Sequence, residues 1–210
     1  MKKSLKILSA LLLGAMMFSC NQPEQTNENG KDMKTENGVI ETIMARRSIR
    51  KYTGEAVNRE TMQTILECGI NAPNGMNRQS WEVRVMDNPE LIGKLKQHMV
   101  QANPETPAQA VEGCFRGAPT LVFVANAQDY DFSAIDCGLL SENIMLSAWS
   151  LGVGSVCLGS PIRFINKSPE ALQMLGFSQG YTPVICIGLG YAAEQPEAKP
   201  RDMEKVKFIE

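Results

Sequence analysis

A dense set of hydrogen-bond donors occupies positions 46–50, where the chain reads Arg46-Arg47-Ser48-Ile49-Arg50. Three guanidinium groups beside one hydroxyl suit a phosphate monoester, because guanidinium forms paired, charge-assisted hydrogen bonds to phosphate oxygens. The same run is also typical of a solvated helix end, where cations offset the negative end of the helix dipole. Charge alone leaves both interpretations open.

A second polar segment, which we call the amide loop, runs from Ala72 to Trp81 and is dense in amide side chains. A short loop on a rigid scaffold can aim backbone and amide groups at one spot, which suits a planar ligand with hydrogen-bonding edges. An ordinary connection between two elements explains the segment equally well when it is taken alone. The order of the two motifs favours function and predicts a phosphate handle followed by a polar face for a ring.

The bulk composition excludes one class of partner. The chain of 210 residues has 21 basic and 23 acidic side chains, a formal net charge of −2. Nucleic-acid-binding proteins need a basic face to displace counterions. We therefore expect no nucleic-acid partner.

The N-terminus resembles a secretory signal peptide over residues 1–19, with a basic start and a short apolar run. Cys20 follows the small residue Ser19 and resembles the cysteine of the bacterial lipobox. That resemblance implies an exported lipoprotein of the bacterial cell envelope, lipidated at Cys20 and anchored to a membrane. Residues 20–37 are polar and lack aromatic side chains, so we interpret them as a flexible tether. Residues 38–210 suit one folded domain.

The cysteines and the single histidine give no pattern for a metal site. The five cysteines beyond Cys20 show no CxxC spacing, and we expect small buried hydrophobic side chains rather than the disulfides of some exported proteins. His98 lies in a helical pattern and is predicted to be a surface residue, which disfavours a zinc site and a histidine-based triad. No residue is assigned as a catalytic acid, base or nucleophile. The five cysteines are Cys68, Cys114, Cys137, Cys157 and Cys186.

Hydrophobic periodicity and capping residues predict alternating helices and strands in residues 38–210. The longest predicted helix, Phe132 to Leu151, has apolar residues on more than one face, which indicates burial in a core or at a subunit interface. A GxGxxG turn after a strand is missing, so a standard dinucleotide-binding fold is disfavoured. The other predicted helices cover Val39–Met44, Asn58–Ile70, Asn88–Met99 and Ser168–Leu175, and the predicted strands cover Trp81–Met86, Thr120–Ala125, Val153–Gly159 and Pro183–Leu189.

Five motifs taken in order resemble the flavin-dependent nitroreductase family. They are the Arg46–Arg50 run, the amide loop, the helix around Asp136, Gly138 and Asn143, the turn Leu151-Gly152-Val153-Gly154-Ser155, and Gly188-Leu189-Gly190-Tyr191 with Lys199-Pro200-Arg201. The resemblance implies an α+β fold with a mixed central sheet flanked by helices. It also implies a domain-sharing homodimer with two FMN sites at the interface.

The resemblance assigns the candidate cofactor-binding residues to three groups. One subunit would hold the phosphate and ribityl chain with Arg46, Arg47, Ser48, Arg50, Lys199 and Arg201. The other subunit would line the flavin with Pro73, Asn74, Gly75, Asn77 and Gln79. The backbone of Cys157, Leu158 and Gly159 would pass against the isoalloxazine ring, and Arg116 is the nearest candidate for a cation beside its pyrimidine side.

The implied activity is an FMN-dependent oxidoreduction. NAD(P)H would deliver hydride to the flavin, and a nitroaromatic or quinone-like acceptor would then take it in the same pocket. Two alternatives stay open. One is reductive dehalogenation or flavin fragmentation, and the other is a lipid-anchored protein that binds flavin or another ligand without turnover. The sequence does not specify the physiological oxidant.

Overall fold

The computed structural model describes residues 38–210, so the signal peptide, Cys20 and the tether predicted above lie outside the described residues. The helices are α1 (Gly38–Ala45), α2 (Arg59–Ile70), α3 (Pro89–Ala102), α4 (Ala108–Glu112), α5 (Ser133–Ser150), α6 (Ser160–Ile165) and α7 (Pro169–Leu175). The strands are β1 (Trp81–Met86), β2 (Thr120–Ala127), β3 (Gly154–Leu158) and β4 (Tyr181–Gly190). In residues 38–210, no helix is long and apolar enough to cross a bilayer.

The four strands form one sheet in the order β1-β2-β4-β3, and each neighbouring pair is antiparallel. The mixed sheet expected above is therefore antiparallel along its named strands. A parallel contact occurs at its β3 edge, where Ser48 forms an isolated bridge with Ser155.

The central strand β2 divides the core into two layers, because successive side chains of a strand point to opposite faces. Leu121 and Phe123 pack into one layer with residues of α3, α6 and α7. Val122 and Val124 pack into the other with residues of α2 and α5. All four side chains are fully buried, and burial of each contributes about 1.5–3 kcal/mol to folding. The fold is thus a sheet with helices on both faces, as the α+β assignment requires.

Local capping residues define several helix starts as predicted. The side chain of Asn58 accepts from Thr61 N (2.9 Å), that of Asn88 from Glu90 N (2.9 Å), and that of Ser168 from Ala171 N (3.2 Å). Each bond satisfies a backbone donor that has no partner inside the helix. The two short helices α4 and α6 were not predicted, since five or six residues are too few to show a helical period.

Several predicted exposures are wrong. Ile70 and Leu91 were expected on buried helix faces and are 47% and 42% exposed; Ile70 is the last residue of α2, and Leu91 lies in the first turn of α3. His98 is half-buried rather than superficial. Of the five cysteines in the described part of the chain, all are free thiols. Cys114, Cys137 and Cys186 are buried as predicted, whereas Cys68 and Cys157 are exposed.

Candidate functional site

A cleft of about 470 Å³ lies between the end of α1 and the C-terminal tail. It brings together two sets of residues, at positions 46–50 and 199–201, that lie far apart in sequence and that the family resemblance assigned to one group. Those residues are Arg46, Arg47, Ser48, Arg50, Lys199 and Arg201. We call this feature the cationic cleft; Ile43, Met44, Pro196, Glu197 and Ala198 complete its lining.

The edge of the sheet positions the arginine side of the cleft. The chain leaves α1 and lies beside β3, where Ile49 N donates to Ser155 O (2.9 Å). Gly154 allows this close approach, since a Cβ there would lie 2.8 Å from Cγ1 of Ile49. Ile49 is 1% exposed and anchors the segment in the core, so its polar neighbours on both sides line the cleft.

The C-terminal tail is joined to the same segment by backbone hydrogen bonds. Thr53 N donates to Tyr191 O (3.0 Å), and Ala193 N donates to Lys51 O (2.9 Å). The carboxylate of Glu194 accepts from Arg50 N. These contacts direct the tail along the arginine segment, which brings Lys199 and Arg201 to the cleft.

The guanidinium groups of the cleft have partners within the chain. Arg46 forms an ion pair of 3.8 Å with Glu142 of α5. Arg47 donates to the backbone oxygens of Met44 (2.7 Å) and Arg46 (2.8 Å), and Arg50 donates to Ser48 O (3.1 Å). Arg47 thus satisfies a carbonyl of the last turn of α1 while it lines the cleft. Arg47 therefore lies at a helix end and also lines the cleft, and its role in ligand binding stays a prediction.

The charge of the cationic cleft fits a phosphate monoester. Five cationic side chains line it against one carboxylate, that of Glu197. Arginine binds phosphate in a paired geometry and lysine adds a point charge. A dianionic phosphate is attracted to a surface with this excess of positive charge.

The amide loop has an unusual backbone. Met76, Asn77 and Gln79 have φ values of 52°, 54° and 49°, in the left-handed region. Residues other than glycine and asparagine adopt this region at a cost of about 1–2 kcal/mol each. The residues at positions 76–79 are exposed, so the loop requires specific contacts to hold this shape.

Those contacts come from the loop itself, from Tyr130, and from the first turn of α5. Within the loop, Asn74 Oδ1 accepts from Gln79 N (2.9 Å). The Arg78 guanidinium lies 4.5 Å from the centroid of the Tyr130 ring. The buried carboxylate of Asp136 accepts from Gly75 N (3.0 Å) and from the hydroxyl of Ser80 (2.8 Å).

The end of β3 provides the third group of predicted residues. Leu158 is 6% exposed and packs in the core. Cys157 and Gly159 are exposed. Although Cys157 as a residue is exposed, neighbouring atoms partly remove its thiol from water, which raises the pKa of the thiol; the Glu142 carboxylate raises it further, and the Arg46 guanidinium lowers it. Cys157 therefore lies within electrostatic reach of the cationic cleft.

Within the chain, the structure unites the six residues of the cationic cleft but does not bring the other candidates into its lining. Pro73, Asn74, Gly75, Asn77 and Gln79 lie in the amide loop, and Cys157, Leu158 and Gly159 lie at the end of β3. Arg116 follows a short turn after α4, near Cys114, and does not line the cleft either.

Sequence reasoning missed the residues that hold these groups in place. Asp136 appeared in a family motif without a role, and Tyr130, Glu142 and Glu194 were not singled out. The one available indication of this role was that Asp136 is an acidic residue in a largely apolar helix, because a buried carboxylate needs hydrogen-bond partners.

Residues 43–191 match the Nitroreductase family. An NADPH-flavin oxidoreductase of Vibrio harveyi is 30% identical over 172 residues, which cover 79% of this chain and 70% of that protein. A nitroreductase with bound FMN from Bacteroides fragilis has a TM-score of 0.74 and 28% identity, and the match covers 83% of this chain and all of that one. A nitroreductase with bound FMN from Desulfitobacterium hafniense also has a TM-score of 0.74, at 29% identity, and the match covers 83% of this chain and 99% of that one.

The family match covers more than half of the chain, and it includes the arginine run, the amide loop and the whole sheet. The chain belongs to the nitroreductase family.

Proposed function

We propose that this protein is an FMN-dependent NAD(P)H oxidoreductase that reduces nitroaromatic or quinone-like acceptors. The cationic cleft carries the proposal, because it assembles the arginine run and the tail cations into one site in a chain of this family. The relatives support the cofactor, since two of them bind FMN and one is an NADPH-flavin oxidoreductase. When bound, FMN supplies the hydride-accepting and hydride-donating chemistry.

The residues of the chain have binding and orienting roles in this proposal. Arg50, Lys199 and Arg201 hold the phosphate by charge, and the Ser48 hydroxyl adds a neutral hydrogen bond. Asn77 and Gln79 present amide groups to the ring. The exposed backbone at Gly159 allows the ring to approach β3 without a side chain between them.

A purified sample tests the activity directly. We expect a yellow protein that bleaches under nitrogen with NADH or NADPH and regains its colour when nitrofurazone or menadione is added. Colour that bleaches but does not return with either oxidant would leave the cofactor assignment standing and reject these acceptors. A colourless protein that refuses added FMN would instead favour a binding protein of the same fold.

We also propose that the protein is a homodimer in which each FMN contacts both subunits. Exposed apolar side chains on two neighbouring helices support an interface. Ile40, Ile43 and Met44 of α1 are 48%, 52% and 70% exposed, and Ile135 and Leu139 of α5 are 59% and 42% exposed. Burial of such side chains against a second copy is favourable by about 25 cal/mol per Å² of apolar surface.

Mixed dimers test the shared site. Arg50→Ala and Asn77→Ala should each impair FMN binding. If one subunit supplies the arginines and the other the amide loop, a mixed dimer of the two variants has one intact site. Co-expressed variants should therefore regain FMN and activity that neither homodimer has. A mixture with no recovery would place both residues at a site within one subunit.

We further propose that the protein is exported and anchored to the bacterial envelope through lipidated Cys20. The apolar run that precedes Cys20 supports this proposal. Cys20→Ala should move the protein from the membrane fraction to the soluble fraction and abolish incorporation of labelled fatty acid. Equal partition of both forms would reject the anchor.

A further inference from the structure

Both oxygens of the Asp136 carboxylate contact the amide loop. Oδ1 accepts a hydrogen bond from Gly75 N at 3.0 Å, and Oδ2 accepts one from the Ser80 hydroxyl at 2.8 Å. Asp136 is 3% exposed and lies in the first turn of α5. Because Gly75 and Ser80 lie on either side of the left-handed residues of the loop, a single carboxylate fastens both sides of this segment to the helix.

The segment between these two contacts has a backbone conformation that its residues do not favour by themselves. Met76, Asn77 and Gln79 all have positive φ values, and the positions 76–79 are exposed to solvent. The stacking of Arg78 on Tyr130 and the bond from Gln79 N to Asn74 Oδ1 restrain the middle of the loop. Asp136 restrains its ends. Without the ends held, the loop would relax to conformations with negative φ, which would redirect the side chains of Asn77 and Gln79.

We propose that Asp136 is a positioning residue of the cofactor site, which it serves by fixing the amide loop in the shape that presents Asn77 and Gln79 to the flavin. This inference rests on the proposed function. Asp136 acts through the loop, so its effect is preorganisation: an ordered loop binds a rigid ring without losing conformational freedom at the moment of binding.

The test uses the full chain and FMN, with variants that separate hydrogen bonding from charge. Asp136→Ala removes both acceptors. Asp136→Asn keeps the shape, because its amide oxygen can accept from Gly75 N and its NH2 group can donate to the Ser80 hydroxyl. Ser80→Ala removes one contact and leaves α5 unchanged. Asp131→Ala removes an exposed carboxylate near the same helix and serves as the matched control.

Two readouts report on the loop. We expect Asp136→Ala to raise the Kd for FMN on the order of tenfold, as loss of hydrogen bonds to a charged acceptor does. Trypsin cleavage after Arg78, followed by mass spectrometry, should accelerate by a similar factor, because the loop opens more often. Ser80→Ala should change both quantities by about threefold. Asp136→Asn and Asp131→Ala should resemble the wild type.

The two proposals can fail separately. A wild-type protein that does not bind FMN would reject the proposed function and, with it, the cofactor role of Asp136. A wild type that binds FMN, beside a folded Asp136→Ala variant with an unchanged Kd and unchanged cleavage at Arg78, would overturn the positioning role alone. A lower melting temperature with both readouts unchanged would likewise reduce Asp136 to a structural residue. If Asp136→Ala does not fold, Ser80→Ala decides by the same two measurements.

Discussion

The cationic cleft and the amide loop are built in opposite ways. Backbone hydrogen bonds of Ile49, Thr53 and Lys51 hold the arginine segment against β3 and the tail. Its charged side chains line the cleft. Side chains hold the amide loop, chiefly Asp136 and Tyr130, while its backbone takes a strained path. The cleft should therefore be sensitive to loss of charge, and the loop should be sensitive to changes of shape.

Among the variants considered, removal of one cation from the cationic cleft should weaken FMN binding the most. Arg50 lines the cleft, and its guanidinium donates to Ser48 O. If it also binds the FMN phosphate, Arg50→Ala should raise the Kd for FMN by about a hundredfold, the scale of a lost hydrogen bond between charged groups. Flavin fluorescence titration measures this Kd.

Arg59→Ala is the matched control for that variant. Arg59 is an exposed arginine that pairs with Asp87 at 3.3 Å, away from the cleft lining. Exposed ion pairs of this kind contribute at most about 1 kcal/mol, so its FMN affinity should be unchanged. Full flavin content in purified Arg50→Ala would show that the phosphate assignment is wrong.

A single methyl group should disturb the loop without any change of charge. A Cβ at Gly75 would lie 2.1 Å from the Tyr130 hydroxyl oxygen and 3.1 Å from ring carbon Cζ. Gly75→Ala should therefore push Tyr130 away and destabilise the loop by about 1–3 kcal/mol, the usual cost of overpacking. The Kd for FMN and the melting temperature measure the effect.

A second substitution, at Tyr130, should relieve the clash that Gly75→Ala creates. Tyr130→Phe removes the hydroxyl, keeps a ring for Arg78 to stack on, and leaves contacts that a shift of a few tenths of an ångström can accommodate. The double variant Gly75→Ala/Tyr130→Phe should recover much of the lost affinity. A double variant as impaired as Gly75→Ala would place the damage in the backbone of Gly75 instead.

The salt dependence of the Kd for FMN should distinguish the cationic cleft from the amide loop, with a smaller effect than the substitutions above. Screening weakens attraction between exposed charges, and the screening length falls from about 14 Å at 50 mM to about 4 Å at 500 mM ionic strength. The wild-type Kd for FMN should rise by about tenfold over this range. Gly75→Ala should keep the same slope with a higher Kd, and Arg50→Ala should have a shallower one. Equal slopes for all three proteins would contradict the division between charge and shape.

The family resemblance predicted which residues group in the cleft, but no pattern predicted the shape of the loop. Guanidinium groups and lysines carry their chemistry in their residue type, and the caps at Asn58, Asn88 and Ser168 act within three residues, so both are visible in a local pattern. The left-handed backbone at Met76 and Gln79 depends on Asp136, whose contacts with the loop cross 56 and 61 residues. Nothing local to the loop indicates that partner. Tertiary contacts with single buried carboxylates are therefore the part that sequence patterns miss.

The smallest expected effect tests how far the field of the cationic cleft extends. Glu142 raises the pKa of the Cys157 thiol and Arg46 lowers it, in addition to the larger upward effect of burial. At pH 8, below the raised pKa, the thiol is mostly protonated, and only the thiolate reacts with iodoacetamide. Glu142→Gln removes a contribution that raises the pKa of the thiol, so alkylation of Cys157 at pH 8 should be faster than in the wild type. Arg46→Ala should make it slower.

Cys68, exposed on α2, provides the internal control for the reagent in the same peptide map. An unchanged or slower reaction in Glu142→Gln would contradict an electrostatic effect of Glu142 on this thiol, and the field of the cationic cleft would then end short of β3.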